Sequence, residues 1–133
     1  MALTVVDASV IADALVVWGR AGQAARQTLG ALDVLQAPQI LTAEVVSAFR
    51  SMVRRGELEE GRARFGLGLL RALDALTYPI DPFLERIWEL RDRVTVYDAW
   101  YIALAEHLET DLVTADRRLS RIGDVRCTVR LPG

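Results

Sequence analysis

Four acidic residues stand where an apolar run meets a helical stretch. They are Asp7 after Thr4-Val5-Val6, Glu44 in Leu41-Thr42-Ala43-Glu44-Val45, Asp98 in Val96-Tyr97-Asp98-Ala99-Trp100, and Asp116 after Leu112-Val113-Thr114-Ala115. If the apolar runs are strands of a mostly parallel sheet, these hinges meet at the carboxyl ends of the strands, where open α/β sheets bind ligands. Carboxylates brought together repel: two unit charges at 4 Å oppose one another by about 4 kcal/mol at an effective dielectric of 20. A divalent cation removes that repulsion. Oxygen-only donors suit Mg²⁺ or Mn²⁺. Zinc does not fit, because His107 and Cys127 are the only soft ligands in the chain.

Each acid also has an ordinary explanation, since carboxylates at helix N-termini satisfy free N–H groups and favour the helix dipole. Asp116, directly before Arg117 and a short helical run, fits that explanation best. Asp98 fits it least: its neighbours at i+3, i+4 and i+7 are Tyr101, Ile102 and Ala105, so it shares the apolar stripe. A carboxylate on a buried face needs a partner, and no arginine lies on that stripe. Asp7 ends a buried strand between Val6 and Ala8, whereas Glu44 has mixed surroundings. Ser9 and Thr114 each stand two residues from an acid. Such hydroxyls make turn or cap hydrogen bonds, or else orient the carboxylates or metal-bound water from behind.

The elements that must position these groups alternate. Strand patterns occur at Leu3–Val6, Val34–Ala37, Thr77–Ile80, Leu112–Thr114 and Cys127–Leu131, with Pro79 confining the third to a sheet edge. Helical spacing covers Ser9–Val17, Gln23–Leu32, Ile40–Met52, Leu58–Leu76, a stretch capped by Asp81-Pro82, Tyr97–Leu108 and Arg117–Ile122. Gly19 and Gly22 mark a break between the first two helices. Gly61, Gly66 and Gly68 weaken the fourth. Alternation of this kind means α/β with a parallel sheet.

At 133 residues the chain is one domain, residues 1–133, large enough for a single core. The apolar stretch Leu3–Val17 carries Asp7 and Asp13, so it is neither a signal peptide nor a membrane span. One cysteine excludes an internal disulfide and suits a reducing cytoplasm. All 16 basic residues are arginine, which excludes a Walker-type phosphate loop and Schiff-base catalysis. With a net charge of -2 there is no global basic footprint, so any nucleic acid must be held by local patches and a metal.

The four acidic segments, in this order and in a chain of this size, resemble the PIN-domain ribonucleases and, within them, the VapC toxins of type II toxin–antitoxin systems. The resemblance runs from Val5-Val6-Asp7-Ala8-Ser9 to Leu112-Val113-Thr114-Ala115-Asp116 and covers essentially the whole chain. It implies a three-layer α/β/α fold with a short, mostly parallel sheet. Asp7, Glu44, Asp98 and Asp116 become the family's acidic quartet, binding Mg²⁺ or Mn²⁺ for endoribonucleolytic cleavage. Metal-assisted hydrolysis then places Asp7 and Asp98 as inner ligands, with Glu44 and Asp116 acting through water or a second ion.

Arg117 and Arg118 follow the quartet directly and are candidate RNA contacts, although a solvated helix face explains them as well. Arg50, Arg54 and Arg55 form a second cluster with the same two explanations. Trp100 and Tyr101 read first as core residues and only second as base-stacking ones. The resemblance also implies a homodimer, a heterotetramer or larger assembly with a VapB-type antitoxin, and DNA binding by the antitoxin rather than this chain. The apolar stripe of Ile40–Met52 serves equally as an antitoxin dock or as core. The alternative function is a non-catalytic PIN-type module that binds RNA or antitoxin without turnover.

Overall fold

The computed structural model describes residues 3–133; the first two residues of the single domain expected over 1–133 lie outside it. Strand β1 (Leu3–Val6) buries Thr4, Val5 and Val6, as expected of a parallel strand covered on both faces. Helices α1 (Ala8–Val16) and α2 (Arg20–Gly30) lead to β2 (Val34–Pro38). Helices α3 (Leu41–Arg54) and α4 (Glu60–Ala72) lead to β3 (Leu76–Tyr78). A 3₁₀ turn (Asp81–Phe83), α5 (Leu84–Glu89) and α6 (Val96–His107) precede β4 (Leu112–Val113). A second 3₁₀ turn (Leu119–Arg121) precedes β5 (Val129–Arg130).

The strands form one sheet in the order β3-β2-β1-β4-β5, parallel throughout. Val5 pairs with Gln36 on one side of β1 and Val6 with Val113 on the other. Helices α1–α4 pack against one another on one face. The chain then passes from edge strand β3 to β4 across the other face, where α6 packs on β1, β2 and β4. The result is three layers. Residues Ala99–Ala105 of α6 are all buried because this helix is enclosed by the sheet and α5.

Several local expectations need correction. Asp81 does not cap a helix with its side chain: it lies inside the 3₁₀ turn, with Ile80 at the cap position. The Arg117–Ile122 helix shortens to a 3₁₀ turn. Pro38 ends β2 from inside the strand, and β3 takes the sheet edge just before Pro79.

The glycines have separate explanations. In α4, Gly61 and Gly68 have open space beside them, whereas a side chain at Gly66 would meet Val16 and Phe49 at 2.5 and 3.0 Å. Gly66 thus lets α4 settle on α1 and α3. Gly22 does not break a helix; it lies within α2, where a β-carbon would stand 1.8 Å from the Val17 carbonyl oxygen. Arg26 secures the same joint by donating to the carbonyls of Ala14 and Val17 at 3.2 and 2.8 Å, which satisfies free groups at the end of α1. Because the obstacle at Gly22 is backbone, Gly22→Ala is expected to lower stability by about 3 kcal/mol or more. Urea unfolding checks this, and an unchanged midpoint would contradict the close approach.

On the opposite face Arg86 of α5 makes a two-pronged ion pair with Glu106 of α6, at 2.8 and 2.9 Å. The Glu106 carboxylate also accepts from the backbone N–H of Arg126 at 2.7 Å. One carboxylate therefore ties two helices to the C-terminal segment. Among the described residues no helix is long and apolar enough to cross a membrane.

Candidate active site

Strand order reverses at β1, which is followed by β2 on one side while β4 arrives on the other. The carboxyl ends of β1 and β4 form the crevice where such sheets bind ligands. Asp7 directly follows β1, and its backbone N–H donates to the Val113 carbonyl at 2.9 Å. Thr114 and Asp116 directly follow β4. The strand pairing that builds the sheet thus also juxtaposes residues 107 positions apart.

Asp7 occupies the cap position of α1 but does not cap it with its side chain. Its Oδ2 instead accepts from Thr114 Oγ1 at 2.8 Å and Ser9 Oγ at 2.9 Å. Each hydroxyl in turn accepts from a backbone N–H: Ser9 from Ala115 and Thr114 from Asp116, both at 3.1 Å. Each hydroxyl thus accepts one N–H and donates its single proton to Asp7, so the carboxylate is held by two donors. Thr114 is fully buried, and a hydroxyl there without a partner would be costly.

Asp116 has an ordinary structural duty as well. Its Oδ1 accepts from the N–H groups of Arg118 and Leu119 at 2.9 and 3.3 Å, which caps the following turn. Asp98 lies in the first turn of α6, but Thr95 caps that helix by accepting from the Asp98 N–H at 3.1 Å. The Asp98 carboxylate is thereby released from capping. Glu44 stands in the first turn of α3. Among the described residues, its buried Oε1 and the buried Tyr101 hydroxyl have no hydrogen-bond partner. The Glu44 carboxyl and the Tyr101 hydroxyl lie close enough to influence one another.

Electrostatics show that the four acids share one field. Burial pushes Asp7 above the usual carboxylate range; the Thr114 and Ser9 hydrogen bonds oppose this and the charge of Asp116 adds to it. Burial also raises Glu44, opposed by the Tyr101 hydroxyl and reinforced by the charges of Asp7 and Asp98. Asp98 is raised by burial and then by Asp7, with Thr95 opposing, Asp116 adding and Arg118 opposing. Among the described residues no arginine forms an ion pair with any member of the quartet.

Two openings reach Asp116, the first also Asp98, while Asp7 and Glu44 line neither. A cleft of about 660 Å³ is lined by Arg91, Arg93, Thr95, Asp98, Asp116 and Arg118. A groove of about 380 Å³ on the other side of Asp116 is lined by Ser9, Asp13, Ser51 and Arg55 among others. Arg118 lines the cleft, and Arg117 does not. Trp100 and Tyr101 are buried, which removes them as stacking surfaces. Leu41, Val45 and Phe49 of the Ile40–Met52 stripe are core, leaving Val46 exposed.

The donors suit a hard cation: they are oxygens, they repel one another, and one buried oxygen lacks a partner. Among the described residues no three acidic, histidine or cysteine side chains are grouped closely enough to hold a metal ion between them. That is compatible with Mg²⁺, which keeps several waters and takes one or two carboxylates. Thr95 escapes the sequence reading, and Tyr101 reads there as core or base-stacking rather than as a neighbour of Glu44. The only available signals were a threonine three residues before Asp98 and a tyrosine one turn after it.

A raised carboxylate pKa has a definite sign. The folded protein holds a proton that the unfolded chain has released, so stability falls as pH rises from about 4 through the raised value. Removing one such group should therefore stabilise the metal-free protein at neutral pH and do nothing near pH 4. Glu44→Gln is expected to add about 1–2 kcal/mol at pH 7, with the gain shrinking on acidification. Thermal melts of both proteins in chelator across that range check it. A destabilised variant at pH 7 would show that Glu44 is not repelled in the fold.

A PIN domain model matches residues 4–125. Ribonuclease VapC9 of Mycobacterium tuberculosis is 39% identical over 127 residues, covering 96% of each chain. The VapC20 toxin of the same organism superposes with a TM-score of 0.66 at 16% identity, over 94% of this chain and 98% of that one. A structure of VapBC-5, a member of the VapBC family of toxin–antitoxin systems from that organism, superposes with a TM-score of 0.58 at 20% identity, over 99% and 98%. The match of the family model over most of the chain, together with 39% identity along almost its whole length to a VapC ribonuclease, places this protein in the PIN-domain family, among the VapC ribonucleases.

Proposed function

We propose that the protein is a Mg²⁺- or Mn²⁺-dependent endoribonuclease, the toxin of a VapBC-type pair, and that it hydrolyses RNA phosphodiester bonds. The observation that carries this reading is that Asp7, Glu44 and Asp98 are each raised by burial and further by the charge of another of the four acids, without an ion-paired arginine among the described residues. Bound there, a divalent cation supplies charge neutralisation at the phosphate and a water that ionises near neutral pH. Asp7, held by Ser9 and Thr114, offers a fixed carboxylate oxygen. Asp98, released from capping by Thr95, offers a second. Glu44, whose buried Oε1 has no hydrogen-bond partner among the described residues, is suited to polarise the attacking water. Arg118 at the cleft wall holds the RNA backbone as a phosphate partner.

The partners that go with this reading are RNA, a VapB-type antitoxin and a second copy of the chain. Incubation of antitoxin-free protein with total cellular RNA and Mg²⁺ or Mn²⁺ tests the activity. Discrete fragments that disappear when the metal is chelated are expected. Intact RNA from several sources, with protein verified as folded and metal-loaded, would leave only the binding-module alternative.

A further inference from the structure

The cleft beside the quartet is lined by three carboxylates, Asp92, Asp98 and Asp116, and by three arginines, Arg91, Arg93 and Arg118. Arg93 is committed to the fold, donating to the carbonyls of Gly123 and Asp124. Arg91 is different. It donates to the Trp88 carbonyl at 2.7 Å and lays its guanidinium over the Trp88 ring, 4.6 Å from the centroid. Trp88 is 66% exposed, while Phe83, Ile87 and Leu90 supply the buried side of this region. The core has no use for this indole. A guanidinium lying on an indole is a flat cationic surface, and both layers stack on nucleobases while the arginine also binds phosphate.

Position separates this pair from the other one. Arg62 lies over Trp18 at 4.5 Å, but neither residue lines the cleft that holds Asp98 and Asp116. Arg91 both lines that cleft and covers an exposed aromatic ring, so it connects the acidic centre to a stacking surface.

We infer that Trp88 and Arg91 form a binding platform for a single-stranded RNA nucleotide flanking the cleavage point, with Trp88 stacking the base and Arg91 holding a phosphate. This rests on the ribonuclease reading above. The competing occupant is a second copy of the chain, because Leu84, one turn before Trp88, is exposed too.

The test uses a short unstructured oligoribonucleotide with Mg²⁺ in the cleavage-deficient Asp98→Asn background. Tryptophan fluorescence should be quenched, and Trp88→Phe in the same background should remove the quench, assigning it among the 3 tryptophans. In the active protein Trp88→Ala should raise KM roughly five- to hundredfold with kcat nearly unchanged. Arg91→Gln should reduce the slope of log affinity against log salt by about 1. Both side chains are largely on the surface, so melting temperatures should stay level.

If wild type cleaves RNA while Trp88→Ala keeps its KM and Trp88→Phe keeps the quench, the platform is overturned and the ribonuclease reading stands. If Trp88→Ala instead converts a dimer to monomers in sedimentation without changing KM, the face is a subunit contact and the platform is overturned. If wild type neither cleaves nor binds RNA, the ribonuclease reading falls and takes the platform with it.

Discussion

Asp98→Asn is expected to reduce RNA cleavage by roughly two to three orders of magnitude in kcat/KM, the several kcal/mol associated with charge stabilisation at a metal-dependent site. The fold should survive, because Thr95 caps α6 and the Asp98 contribution to that cap is its backbone N–H, which asparagine retains. Stability should even rise slightly in chelator, since burial and the charges of Asp7 and Asp116 all disfavour the Asp98 carboxylate. The expected signature is therefore lost activity with an equal or higher melting temperature. Alanine at Ser9 or Thr114 differs in kind: each removes a hydrogen bond that holds Asp7 in place. Cleavage measured beside thermal melts separates these cases. Full activity in folded Asp98→Asn would remove Asp98 from the site.

Glu106→Ala is expected to produce the largest loss of stability among the charged residues. The Glu106 side chain is 6% exposed and that of its partner Arg86 19% exposed. The substitution strands the Arg86 guanidinium and leaves the Arg126 N–H without its acceptor. Breaking a fully buried pair from one side costs about 3–5 kcal/mol; the partial exposure of Arg86, and its second carboxylate Glu89 at 3.1 Å, bring the expectation down to about 2–4 kcal/mol. Chemical denaturation measures it directly. The double variant Arg86→Met with Glu106→Leu should recover much of the loss, because it removes the stranded charge. No recovery would mean that the Arg126 contact, rather than the ion pair, holds the C-terminal segment.

Much of the architecture is legible in the sequence because parallel strands buried on both faces must be apolar throughout. Thr4-Val5-Val6 and Leu112-Val113 announce themselves in that way, and the helices between them follow from spacing. Boundaries set by a few hydrogen bonds were not legible. Asp81 looks like a helix cap, yet the chain makes a 3₁₀ turn there. Gly22 looks like a break, yet it is the point where α2 meets the end of α1. Hydrophobic periodicity does not record that the Val17 carbonyl, a few residues back, folds against this glycine.

The acids show the same division. Their identities and order along the chain, the absence of lysine and the scarcity of soft ligands all belong to the sequence, and they point to oxygen-donor chemistry. The sequence also raised Ser9 and Thr114 as possible partners of the acids. Only the tertiary structure decided that both hydroxyls serve Asp7, because the parallel pairing of β1 with β4 brings residue 114 beside residue 7. Asp116 spends one oxygen on its own turn, as its place before a helical run suggests, and Asp98 enters the Thr95 cap through its backbone N–H. The physical reason is common to these cases. Residue type sets what a group can donate, accept or repel, but burial and the orientation of neighbouring backbone N–H groups determine which of those capacities remains free, and both depend on contacts between segments far apart in the chain.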